Sequence, residues 1–178
     1  MFSFKSFNSV LTFALIAACA TLASAQVTRV TQAEVAVSGT TEVSKVLGVG
    51  SQIYQCTDGQ WKFYGPTALL FKTSASAAEG KPNSSSPLAG TALVGHHFRT
   101  SNTIPGWTID GITVSAKPTM AAPGGVGNID WLVLKTVDDT YAKYILHTDT
   151  SGGTMAGICP KEGAFISVPY QTTYVFLK

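Results

Sequence analysis

Beyond residue 25, no stretch keeps apolar residues at helical spacing over a dozen positions. What recurs instead is short runs of β-branched and aromatic residues parted by Gly, Pro, Asp and Asn. Residues 46–56 (VLGVGSQIYQC) read as a strand bulged at its internal glycines. Asp58-Gly59 is a turn signal, and Trp61-Lys62-Phe63-Tyr64 resumes the alternation. Further strand-like pieces fall at 68–72, 92–99, 111–117, 131–137, 141–147, 165–170 and 172–177, and Asp138-Asp139 marks a hairpin. Pro105-Gly106-Trp107 and Asp110-Gly111 read as turns, as does Thr150-Ser151-Gly152-Gly153-Thr154. Pro169, set in a strand pattern, indicates an edge or a bulge. The expected fold is all-β: a single antiparallel β-sandwich or barrel-like domain over residues 46–178, with residues 26–45 as an N-terminal arm or first strand.

Residues 73–91 interrupt this pattern with Ser, Ala, Gly and Pro and no aromatic residue. They predict a long flexible surface loop, dispensable for folding, because they offer little apolar area to offset the entropy of ordering. Asn83-Ser84-Ser85 within it is a glycosylation sequon.

The N-terminus carries Lys5, then an apolar run over residues 10–22, then Ala23-Ser24-Ala25. This is the pattern of a signal peptide over residues 1–25, and the run is too short for a ~20-residue membrane span. No later segment is apolar enough to span, so a secreted, extracellular protein is expected. Cys19 would leave with the leader, and Cys56 and Cys159 remain. In an oxidising compartment an even pair reads as one disulfide, closing a loop of about a hundred residues. Two separate buried thiols are the other reading. Neither cysteine has a CxxC partner or a nearby His, so no metal site is assigned.

Charge excludes a further class. With 12 Lys+Arg against 10 Asp+Glu, and only 12% charged residues, there is no basic face for nucleic acid. Gly124-Gly125-Val126-Gly127 lacks the GxGxxG spacing and opens no helix, so no nucleotide cofactor is expected. In Gly95-His96-His97-Phe98 the two histidines would point to opposite faces of a strand. His97 is then a candidate base or metal ligand, or else a satisfied or surface histidine. Asp110 is a candidate carboxylate partner. Asp110 with Asp130 would make a glycosidase pair only if folding brought them within about 5–10 Å. Trp107 and Tyr170 are candidate sugar-stacking residues, or else core aromatics.

Taken in order, Gly48-Val49-Gly50-Ser51-Gln52-Ile53-Tyr54-Gln55-Cys56, Ala68-Leu69, Gly95-His96-His97-Phe98, Pro105-Gly106-Trp107 with Asp110-Gly111, Trp131-Leu132, Thr150-Ser151-Gly152-Gly153, Cys159 and Val168-Pro169-Tyr170 with Tyr174-Val175-Phe176 resemble a family of secreted, mainly fungal proteins described as a domain of unknown function. Some members carry the label malate dehydrogenase. That activity is not expected here, because the chain lacks a dinucleotide-binding βαβ unit. The chain departs from the family pattern at Ile145-Leu146-His147-Thr148, where many relatives carry an arginine, and at Thr154-Met155, where a nearby proline is usual. The resemblance transfers no catalytic residues.

The functional expectation is a secreted, non-enzymatic protein acting at the cell surface or wall, or as an effector-like factor on a host. Its partner would be a cell-wall polysaccharide or a host protein. The alternative is a secreted enzyme or metalloprotein using His96 or His97 with Asp110.

Overall fold

The protein is described by a computed structural model covering residues 37–72, 92–100 and 104–178. The expected leader, the sequon at Asn83 and the predicted loop over 73–91 lie outside the described residues. Eight strands form: β1 (Glu42–Thr57), β2 (Gln60–Lys72), β3 (Leu93–Arg99), β4 (Pro105–Ile109), β5 (Ile112–Ala122), β6 (Trp131–Thr136), β7 (Tyr144–Gly152) and β8 (Phe165–Leu177). There is no helix among the described residues. Each strand pairs antiparallel with the next, and β1 pairs with β8, which closes the sheet into an up-and-down barrel. Of the two architectures left open by the sequence, the barrel is the one formed.

Several strands run longer than their apolar runs. β2 passes through Gly65-Pro66 without a break, and β8 passes through Pro169. Proline cannot donate to a ladder, yet a closed barrel has no edge to hide it on. The register resolves this. Pro66 pairs with Gln52, but the β2–β3 ladder begins only at Ala68. Pro169 pairs with Ser51, and on its other side the β7 ladder ends at Gly152↔Tyr170, beside the bulge between Thr148 and Ser151. Pro105-Gly106-Trp107, expected as a turn, is strand β4. The turn is Asp110-Gly111 alone, with φ of 48° and 84°, the two positive values that a tight hairpin between twisted strands requires. β1 also begins four residues before the expected boundary, at Glu42.

Inward positions alternate along each strand. At the end where β1, β3, β5 and β7 start, here called the base, Val46, Leu70, Ile109, Val114, Ala116, Leu134, Ala142, Ile145 and Phe176 form a closed apolar core. Tyr141 packs edge-on against Phe176, with ring centroids 5.7 Å apart. Thr136 Oγ1 donates to the Ala142 carbonyl at 2.7 Å, tying the β6–β7 loop under the core. The opposite end, the rim, carries the loops before β6 and between β7 and β8.

Candidate functional site

β3 separates its two histidines as the strand period requires. His96 is exposed and lies 5.1 Å from the Phe98 ring, whereas His97 is inside the barrel at 5% exposure. The His97 ring stacks on Trp107 of the neighbouring β4, with centroids 4.4 Å apart and planes 14° apart. Its Nδ1 sits 2.7 Å from the Gly106 carbonyl. A carbonyl only accepts, so Nδ1 carries the proton. Tyr174 of β8 lies between two imidazoles, 5.2 Å from His97 and 5.2 Å from His147, and is stacked on the latter. β1 makes room for it at Gly48, where a Cβ would come within 2.6 Å of the Tyr174 ring. The Tyr174 and Tyr170 hydroxyls are 3.2 Å apart.

Burial sets the protonation of this cluster. It lowers the His97 pKa to about 3, partly offset by the Gly106 hydrogen bond and reinforced by neighbouring His147. It lowers His147 to about 4, opposed by the Asp130 backbone. Burial also pushes the Tyr170 phenol up to about 12 and holds Tyr174 well above the usual tyrosine range. At neutral pH every member is uncharged. His147 leans on the Asp130 backbone and Trp107 on the Tyr174 side chain, contacts that fall short of full hydrogen-bond geometry.

The remaining sequence candidates do not join this cluster. Asp110 occupies the exposed β4–β5 turn at the base, where its backbone N–H donates to the Val94 carbonyl. Asp130 is exposed at the rim, beyond the far end of the 11-residue β5. At about 3.3 Å per residue that strand alone spans roughly 30 Å, which removes the glycosidase pair. A buried imidazole and a solvated carboxylate likewise make no acid–base dyad of His97 and Asp110. Trp107 and Tyr170 are 1% and 2% exposed, so neither offers a ring face to an external sugar. Among the described residues, no three His, Cys, Asp or Glu side chains gather as metal ligands. His147 received no site role from the sequence. Its one signal was its place two residues after Ile145, on the same inward face.

The rim is stitched by side chains from the glycine loops. Asn128 Oδ1 accepts from the Gly152 N–H at 2.8 Å, and Thr150 Oγ1 donates to the Ile129 carbonyl at 2.6 Å. The Tyr54 hydroxyl donates to the Gly153 carbonyl at 2.7 Å. Cys56 and Cys159 form a disulfide, which fastens the β7–β8 loop to the end of β1.

On the outer wall a row of side chains crosses from β3 to β8. The Arg99 guanidinium lies 5.1 Å from the centroid of the Tyr64 ring and donates to the Tyr64 carbonyl. Tyr64 in turn meets Phe165 edge to face, with centroids 5.2 Å apart. Tyr64 is 47% and Phe165 56% exposed, a large apolar area for a surface. In the sequence Arg99 lies 35 and Phe165 101 positions from Tyr64. The β2–β3 pairing brings Arg99 to Tyr64, and β1, paired with both β2 and β8, brings Phe165 to it.

The sequence model of a family described as "Protein of unknown function (DUF3455)" matches residues 37–178. The chain belongs to that family, and the match spans the whole barrel. No curated protein and no solved structure matches the chain.

Proposed function

We propose that this member of the family is a secreted, non-enzymatic binding protein that acts at the cell surface or wall and docks polysaccharide on the outer row Arg99–Tyr64–Phe165. The observation that carries the reading is the exposure of two large aromatic rings held by a cation on a rigid sheet wall. The C–H faces of a sugar ring pack well on aromatic surface, and a guanidinium adds directional donors for hydroxyls. Arg99 is pinned by both the ring and the carbonyl of Tyr64, so little ordering entropy remains to be lost on binding. The disulfide and the leader pattern support export. The scattering of His97, Asp110 and Asp130 supports a role without catalysis.

The test is retention on insoluble glucan, chitin and mannan. The wild-type protein should be held by at least one of these. The Tyr64→Ala/Phe165→Ala double variant should bind it at least about tenfold more weakly, equivalent to about 1.4 kcal/mol. Equal retention of the two proteins would sink the reading. Absence of binding to every wall fraction, with capture of the wild type but not the double variant by a purified host surface protein, would move the same row to a host partner.

A further inference from the structure

The strands that carry the outer row are short of negative charge. β2, β3 and β8 contain no Asp or Glu. The acids at the rim end of β2 are already engaged. Asp58 Oδ2 lies 2.6 Å from Lys62 Nζ, and Glu162 accepts from the Gly59 N–H at 3.5 Å. Lys62 with Asp58 is the one ion pair among the described residues, so Arg99 has no carboxylate partner among them. The arginine is nevertheless fixed in place. Its stem lies on the bare backbone of Gly65, where a Cβ would come within 2.9 Å of Arg99 Cδ. Its head sits over the Tyr64 ring and donates to the Tyr64 carbonyl. Among the described residues that carbonyl is its one hydrogen-bond partner, so most of the five donors of a guanidinium stay open. A cation held rigid, with open donors and no counter-ion, suits an anion.

We propose that the outer row selects acidic glycans: polysaccharides whose sugars carry carboxylates, the uronic acids. The inference rests on the polysaccharide reading of this row and narrows its ligand. The planar fork of a guanidinium matches a carboxylate, which it grips with two parallel N–H···O bonds. Tyr64 stands between Arg99 and Phe165, so the carboxylate and the stacked face fall on neighbouring sugars of one chain. Lys62 lies across Gln55 from Phe165 but is neutralised by Asp58, which leaves the selectivity to Arg99. An approaching polyanion meets no repulsion from the strands of the row, since they carry no acid.

The probes are oligogalacturonate and its methyl ester, which share a sugar chain and differ in charge. Their affinities for the intact protein are measured by titration calorimetry at low and at physiological salt. The wild type should bind the acid at least about tenfold more tightly than the ester at low salt, and the gap should narrow as salt screens it. Arg99→Gln should bring the two affinities together. Arg99→Lys, which keeps the charge but not the fork, should fall between. Lys135→Gln removes an exposed cation of β6, outside the row, and should leave the preference intact, which sets aside net charge as its cause. Equal affinity for acid and ester in the wild type overturns the proposal, as does a preference that survives Arg99→Gln. If Arg99→Gln does not fold, the wild-type comparison and Lys135→Gln decide. Ring-dependent retention on glucan, chitin or mannan with no acid preference would overturn this inference alone. An acid preference that Tyr64→Ala/Phe165→Ala keeps would overturn the reading of the row itself.

Discussion

Lowering the pH from 6.5 toward 4 should cost this barrel several kcal/mol of stability, with no comparable change between pH 7 and 9. The cause is the pair of buried imidazoles flanking Tyr174. Unfolded, each takes up a proton near pH 6.5; folded, His147 resists protonation down to about 4 and His97 to about 3. Their folded values are depressed, so their contribution is complete above the unfolded value and is lost as pH falls toward the folded ones. At 1.36 kcal/mol for each unit of separation, His147 accounts for about 3 kcal/mol and His97 for about 5 kcal/mol by the time each titrates in the fold. Those amounts rival the whole stability of an ordinary domain. The carboxylates with lowered pKa, Asp58 and Asp138, are exposed and weigh far less. The opposite flank has the opposite sign. Tyr170 and Tyr174 are held protonated above the usual 10.0, so stability should fall again once the pH exceeds that value. Urea midpoints measured from pH 4 to 8 test this. His147→Phe should flatten the acid limb by roughly its share, and an unchanged limb in that variant would refute the assignment.

The sequence carried the strand inventory well where residues alternate, and poorly where a strand contains Pro or Gly. Pro66, Pro105 and Pro169 all sit in strands because the ladder on one side of each has not begun or has already ended. That is a property of register, which no local window contains. The opposed faces of His96 and His97 were legible from the period of two alone. The placement of Trp107 was not, since a strand face can look into a lumen or out to solvent, and only closure of the sheet decides which. The outer row needed β1 to bring β2 and β8 together across most of the chain. The disulfide was legible from the count of cysteines outside the expected leader, but what it holds was not.

What it holds makes its removal the second large effect. Cys56 and Cys159 are 103 positions apart, with Cα atoms 5.6 Å from each other. A cross-link over such a loop restricts the unfolded chain by about 4–5 kcal/mol in the chain-entropy model. In the folded protein it anchors a loop that backbone bonds already fasten to the β1–β2 hairpin. Cys56 N donates to the Ala164 carbonyl at 2.8 Å, Cys159 N to Gly59 at 3.0 Å, and Trp61 N to Gly157 at 3.1 Å. These bonds should keep the loop seated after Cys56→Ser/Cys159→Ser, so the loss should come chiefly from the freed unfolded state. The double variant should be less stable by about 2–5 kcal/mol. At about 2–4 °C per kcal/mol, its melting temperature should fall by roughly 10 °C, and its yield on expression should drop with it. Phe165 follows Ala164 directly, so the outer row is tethered through the same loop. Any polysaccharide retention should therefore survive in the double variant well below its melting temperature. Loss of retention while the barrel is still folded would mean that the disulfide positions Phe165 directly. A stability change within about 1 kcal/mol would mean that the unfolded chain is already compact around this link.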